Sequence, residues 1–304
     1  MRGVSRRFGR LVALDQVSFH VEPGEIVALL GPNGAGKTTA SRIIGGILAP
    51  SSGDVVVAGK SVVHDPNAVR RACGMVTDQP SLYERMTLRA YLGFFAALYE
   101  LEHPAKRVNE LAVMLGLADR LDARLGSFSR GMKQKVAIAR GLVHDPPVLL
   151  LDEPATALDP ETALSLRAFI VSLRARHRAI LLCTHDLDEA QRIADRVVVL
   201  YRGRVAREGT TDALRAVDRP TFVVSFDGPE AQARAALERV GVEATSASVN
   251  GTSALRFTAE RAADTNSLVL RALLDDGVRV ITLVREERTL EEAYFAIVSQ
   301  AGQS

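Results

Sequence analysis

Residues 13–21 (ALDQVSFHV) place apolar side chains at Leu14, Val17, Phe19 and Val21 among polar ones. That near-alternation predicts a half-buried strand entering a turn at Pro23-Gly24. Residues 26–30 (IVALL) are a short unbroken apolar run, the mark of a strand buried on both faces. The period becomes helical over 39–48, and a strand follows over 54–58. Residues 87–115 are mostly helical in period, with a break near His103-Pro104. A helix over 130–143 ends at Asp145-Pro146-Pro147. The chain then reads strand 148–151, helix 161–176, strand 179–184, helix 188–194 and strand 197–201, which stops at Gly203. Buried strands alternating with helices indicate an α/β domain with a largely parallel sheet.

The composition shifts near 217–220. Beyond it the pattern reads strand 221–226, helix 229–240, strand 242–249, strand 253–258, helix 264–275 and strand 278–284. Asn250-Gly251 between two alternating strands is a hairpin signal. A last helix starts at Thr289, where Thr289 and Glu292 fit a capping box. The order βαββαβ is the split-βαβ, ferredoxin-like plan of an α+β domain. The expected organisation is a first domain over 1–215, a linker over 216–219 and a second domain over 220–304.

Composition changes little. The chain has 304 residues, enough for two domains, and its 47% hydrophobic content can bury a core. A formal net charge of +2 offers no field for nucleic acid, which is not expected as a partner. The early basic cluster (Arg2, Arg6, Arg7, Arg10) reads as solvated surface. Two cysteines far apart, Cys73 and Cys183, fit a reduced compartment rather than a disulfide framework. The start lacks the apolar stretch of a signal peptide. No apolar run approaches the roughly 18 residues of a membrane span. The expectation is a chain soluble by itself, so that any membrane process would need another polypeptide.

The chemistry lies at the ends of the buried strands. Gly31, Pro32, Asn33, Gly34, Ala35, Gly36, Lys37, Thr38 and Thr39 read GPNGAGKTT, matching G-x-x-x-x-G-K-[ST]. Glycines there let backbone N–H groups turn inward around phosphate oxygens. Lys37 can reach β- and γ-phosphates, the Thr38 hydroxyl can bind Mg²⁺, and the following helix offers its positive end to the same anion. The pattern points to ATP with Mg²⁺; a merely structural glycine turn is the alternative. VLLLDE at 148–153 puts Asp152 and Glu153 at the end of a buried strand, facing the ligand crevice of an α/β sheet. Asp152 would hold Mg²⁺, and Glu153 would orient and deprotonate an attacking water.

With these motifs in place, residues 4–215 resemble the nucleotide-binding subunit of ATP-binding-cassette (ABC) transporters. Phe8 stands where that family has an aromatic that stacks on adenine. FSRGMKQ at 128–134 is similar to its signature LSGGQ, Asp159 in TALD matches its next loop, and His185 in LCTHDLDEA matches its switch histidine. Each residue also has a plain reading. Phe8 could be a core aromatic, Ser129 and Asp159 could cap the helices that follow, and His185 could be structural. The resemblance implies a P-loop NTPase ABC-type ATPase domain with antiparallel β and helical subdomains, the helical one at about 87–145. It implies a head-to-tail homodimer in which Ser129 and Gly131 of one copy contact the γ-phosphate held by the other. It also implies an ATPase that powers a separate membrane permease, on which the chain is cytoplasmic and peripheral. A helical region around 87–125 would receive that permease.

Three departures accompany the resemblance. The family usually has a glutamine after the strand around 74–76, at a set distance before a Leu-Thr pair. Counting back from Met86-Thr87 reaches Asp78, with Gln79 one step later; Asp78 fits the register and Gln79 fits the chemistry of Mg²⁺ and water. Arg130 replaces the first glycine of the signature, a variant similar to a branch exporting drugs, polysaccharides or lipids. The chain starts close to Phe8, so the expected edge strand is either shortened or begins upstream. Residues 220–304, closing in VREERTLEEAYFAIV, resemble the accessory domain of that export branch. No metal cluster, nucleophile–base pair or phosphate loop is visible in it. It reads as a packing or dimer-stabilising module, with regulation or partner docking as the alternative. A soluble ABC ATPase on ribosomes or DNA and a non-hydrolysing sensor are the competing functions. The first usually has two cassettes or a coiled-coil insertion, absent here, and a pure sensor needs neither Glu153 nor His185.

Overall fold

The computed structural model describes residues 1–79, 81–216, 220–286 and 289–303. The chain forms two compact units, one of Met1–Leu214 joined by the last helix from Tyr294 onward, the other Arg215–Ala293. Most of the expected linker, 217–219, lies outside the described residues, as do 287 and 288 of the closing segment.

The first unit begins with β1 (Arg2–Phe8), β2 (Leu11–Val17) and β3 (Ile26–Leu30), then α1 (Lys37–Ile44). It continues with β4 (Ser52–Asp54), β5 (Val56–Val57), β6 (Lys60–Ser61), α2 (Pro66–Ala72) and β7 (Cys73–Val76). Two helices, α3 (Leu88–Leu98) and α4 (Pro104–Met114), precede α5 (Arg130–Leu142) and β8 (Val148–Asp152). The unit then runs through α6 (Pro160–Ser172), β9 (Ala179–Thr184), α7 (Leu187–Ile193), β10 (Arg196–Tyr201), β11 (Arg204–Thr210) and α8 (Thr211–Arg215).

Its main sheet has the order β11-β10-β3-β9-β8-β7, parallel throughout except for β11 at the edge. The unbroken apolar runs have a direct cause. Ile180 and Leu182 of β9, with Leu149 and Leu151 of β8, enter the core on one face. Leu181, Cys183 and Leu150 enter the core on the other. A strand covered on both sides cannot alternate with polar residues. Both cysteines are free and buried, and burial pushes the Cys73 thiol up to about 12.

Helix starts follow local chemistry. Pro104 and Pro160 open α4 and α6, where a missing N–H costs nothing. The break anticipated near His103-Pro104 is therefore a new helix. The strand anticipated over 13–21 ends at Val17; Phe19 is still buried but lies outside the ladder. The strand anticipated at 54–58 divides into β4 and β5.

A correction concerns the N-terminal segment. β1 is a full strand of seven residues, central in a three-stranded sheet of order β2-β1-β4. It carries Arg2, Arg6 and Arg7, and of its two large apolar residues, Val4 and Phe8, only Val4 is buried. The arginines are not only solvated surface, because the Arg6 guanidinium donates to Ala49 O at 2.8 Å.

The second unit holds β12 (Thr221–Asp227), α9 (Glu230–Arg239), β13 (Ala244–Val249), β14 (Thr252–Thr258), α10 (Ala262–Asp275) and β15 (Arg279–Glu286). The helix α11 (Leu290–Gln303) follows. The four strands form an antiparallel sheet of order β13-β14-β12-β15. Asn250 (φ 51°) and Gly251 (φ 80°) make the anticipated hairpin turn, both in the left-handed region that a tight hairpin requires. The capping box at α11 is formed: Glu292 N donates to Thr289 Oγ1 at 3.2 Å, and Thr289 N to Glu292 Oε2 at 3.0 Å.

Candidate active site

The strand order places four carboxyl ends side by side. β3, β9, β8 and β7 are consecutive and parallel, and their registers align Leu30 with Thr184, Cys183 with Asp152, and Leu151 with Val76. The residues that follow, Gly31, His185, Glu153 and Thr77, therefore leave the sheet at one edge. This is where ligands bind an open α/β sheet.

At the phosphate loop, Gly36 has φ 108° and is the N-cap residue of α1. A Cβ there would meet Ala13 O at 2.6 Å and Leu14 Cδ2 at 2.7 Å, so β2 lies tight against the loop. Gly34 also has a left-handed φ of 82°. A Cβ on Gly31 would run into Leu200 O at the end of β10. Ala35 O accepts from Gly203 N at 3.1 Å, which ties the loop to the β10–β11 turn. Lys37 is buried and donates through Nζ to Gly31 O at 2.6 Å and Pro32 O at 3.3 Å. The ammonium thus folds back over its own loop, in the place where an anion would be cradled.

Two carboxylates complete the cluster. Thr38 Oγ1 donates to Asp152 Oδ2 at 2.9 Å. Burial pushes the Asp152 carboxyl up; the Thr38 bond opposes it, and the charges of Glu153 and Asp78 add to it. Glu153 sits at φ 50°, a strained conformation for a residue with a side chain, held by a bond from its N–H to Cys183 O at 2.8 Å. Glu153 Oε1 lies 2.7 Å from His185 Nδ1. Its Oε2 accepts from Thr156 Oγ1 at 2.9 Å and from Thr184 Oγ1 at 3.5 Å. The Glu153 side chain is mostly covered while the His185 ring is more than half exposed. A carboxylate so oriented, beside an open imidazole, is equipped to take a proton from water.

The remaining sequence candidates divide into two groups. Asp78 is exposed but close enough for its charge to act on Asp152. Gln79 is exposed too, and its backbone oxygen accepts from Thr77 Oγ1 at 2.8 Å. Phe8 ends β1 with its ring 45% exposed and is no core aromatic; the Arg6 guanidinium carbon stands 4.6 Å from its centroid. Ser129 and Asp159 both cap helices: Ser129 Oγ accepts from Met132 N at 3.3 Å, and Asp159 Oδ1 from Thr162 N at 2.9 Å. Gly131 packs α5 onto α6, where a Cβ would lie 2.5 Å from Thr162 Cγ2. Among the described residues, no hydrogen bond joins Ser129, Gly131 or Asp159 to the cluster around Lys37 and Glu153.

Sequence reasoning missed three residues here. Thr156 and Thr184 both donate to Glu153, and Glu189 is a buried acid behind Thr184. Thr184 was legible only as the last residue of an apolar strand. Glu189 was legible only as one of three acids in DLDEA, two of which face water.

The family model described as ABC transporter matches residues 14–156. The chain is 40% identical over 210 residues to the ABC transporter ATP-binding protein NatA of Bacillus subtilis (strain 168), covering 68% of this chain and 85% of that one. It is 38% identical over 229 residues to the Nod factor export ATP-binding protein I of Paraburkholderia xenovorans (strain LB400), covering 75% of each. Among solved structures, it superposes with a TM-score of 0.63 and 28% identity on the ATP-binding cassette MJ0796, a dimer in a post-hydrolysis state bound to ADP and Pi. That match covers 69% of this chain and 97% of the other.

Proposed function

Since the chain belongs to the ATP-binding subunits of ABC transporters, ATPases that power transport, we propose the following roles for its residues. Lys37 exchanges the carbonyls of Gly31 and Pro32 for β- and γ-phosphate oxygens, and residues 31–39 cradle the phosphates with backbone N–H groups. Glu153 accepts the proton of the attacking water. His185 fixes one of its oxygens and reaches toward the γ-phosphate from the same side. Phe8 offers its open face to the adenine.

The residues also fit Mg²⁺. Among the described residues, no group of three or more His, Cys, Asp or Glu could hold a metal ion alone. Mg²⁺ shared with phosphates needs only one or two hard oxygens, and Thr38 Oγ1 with Asp152 Oδ2, 2.9 Å apart, supplies two. Asp78 or Gln79 would add a third. The ion would neutralise phosphate charge.

Head-to-tail pairing of two copies is supported by the dimeric relative bound to ADP and Pi. In it Ser129, Gly131 and Asp159 would meet the nucleotide held by the other copy. Docking on a separate permease would place the chain peripherally at the cytoplasmic membrane face; none of the described helices is long and apolar enough to cross a membrane. Export is supported by the Nod factor export relative and the Arg130 variant of the signature. The strand order of 220–286, with its βαββαβ succession, supports a ferredoxin-like accessory domain following a first domain over 1–215.

The observation that carries the reading is the 2.7 Å contact of Glu153 and His185 beside the Lys37 loop. Glu153→Gln keeps the shape and removes the base. ATP hydrolysis should fall by about 10²–10⁴-fold, the usual worth of a positioned general base. Wild-type hydrolysis in that variant would sink the assignment.

A further inference from the structure

Arg6 is a cation that the roles above leave unused. It stands two residues before Phe8 on β1, and its guanidinium carbon lies over the Phe8 ring, 4.6 Å from the centroid. Its Nη1 donates to Ala49 O at 2.8 Å, in the loop between α1 and β4. Its Nε is buried and has no hydrogen-bond partner. An N–H buried without an acceptor is destabilising unless something else attracts the group. Here the negative face of the Phe8 ring does so.

A cation over one face of a ring covers that face, and Phe8 still keeps 45% of its surface open. The ring also stands near the phosphate loop. Phe8 pairs with Leu11 of β2, and β2 lies against Gly36 through Leu14. Arg6 thus joins three things: the end of β1, one face of Phe8 and the loop that leaves α1. Immobilising a side chain on binding lowers affinity. A ring already held against a guanidinium avoids that loss.

We propose that Arg6 is a positioning residue for the adenine site. Anchored on Ala49 O, it backs one face of Phe8 and holds the ring ready for the base to stack on the other. The inference rests on the reading of Phe8 as the residue that meets adenine. In this role Arg6 touches no phosphate, so it acts on a ligand only through the base. A residue that merely stapled β1 in place would act on every ligand of the phosphate loop alike, or on none.

The test is calorimetric titration of the purified chain with MgATP and with inorganic triphosphate, which has the phosphates and no base. Arg6→Met keeps an apolar stem and removes the cation and its donors. It should weaken MgATP binding about two- to fivefold, the fold-change of one cation–π contact at an exposed site, and leave triphosphate binding unchanged. Phe8→Ala should weaken MgATP binding about fivefold or more, because stacking on a base is worth more, and should spare triphosphate too. In the Phe8→Ala background, Arg6→Met should have no further effect. Equal loss for both ligands overturns the proposal, and so does a full effect of Arg6→Met in the absence of the ring. Arg6→Gln keeps an N–H without the charge and is read in the same way where Arg6→Met fails to fold. Wild-type MgATP affinity in Phe8→Ala would sink the adenine reading itself. A weakened Phe8→Ala beside an unaffected Arg6→Met sinks only the role of Arg6.

Discussion

Gly131 has two explanations that a pair of substitutions separates. Within one copy it lets α5 approach α6, since a Cβ would stand 2.5 Å from Thr162 Cγ2. Across a head-to-tail dimer it would let backbone approach the γ-phosphate. Gly131→Ala alone disturbs both. Overpacking costs about 1–3 kcal/mol, offset by about 1 kcal/mol because alanine favours a helix over glycine. A net loss of about 0–2 kcal/mol follows. Thr162→Ser removes only Cγ2. The next atoms, Thr162 Oγ1 and Cβ at 3.4 and 3.5 Å, are at ordinary contact distance. The hydroxyl and the bond from residue 162 N to Asp159 Oδ1 survive. The double variant should therefore unfold in denaturant within about 1 kcal/mol of wild type, the remaining terms being small and of opposite sign. Its ATPase rate at saturating ATP should stay about tenfold or more below wild type, because the methyl still occupies the phosphate's approach. If Gly131→Ala with Thr162→Ser hydrolyses ATP like wild type, Gly131 is a packing residue and the cross-copy role is wrong.

Two further outcomes follow from the site. Lys37→Ala should abolish ATP-dependent dimerisation, read by light scattering with and without ATP; dimerisation undiminished in that variant contradicts a shared phosphate site. Glu189 also sets a pH dependence of stability. Its folded value of about 7 exceeds the ordinary 4.5, so its stabilising contribution is full below about pH 4.5 and is lost as pH rises through 7. The difference is on the order of 3 kcal/mol, taking about 1.4 kcal/mol per pH unit. Denaturant unfolding of Glu189→Gln should thus gain on wild type between pH 5 and 8, and parallel pH curves for the two would contradict a buried, titrating Glu189.

What could be read from the chain alone depended on whether the signal was local. β3 and β9 announced themselves because both faces are covered, so every position but the closing Thr184 is apolar. β1 did not, because it is rich in arginine and its partners, β2 and β4, are supplied by tertiary structure. The phosphate loop was legible because Gly31 and Gly36 leave no room for a side chain. Glu189 was not, since burial and an orphaned oxygen are properties of the folded neighbourhood. Ser129 and Asp159 show where the two kinds of signal meet. Each satisfies the start of its helix, which accounts for residue type without any nucleotide. Ser129, however, only accepts in its cap. Its hydroxyl keeps a proton to give, and the residue is exposed. A helix cap therefore leaves Ser129 free to donate to a phosphate oxygen arriving from another copy, so the structural role and the functional one are compatible on the same atom.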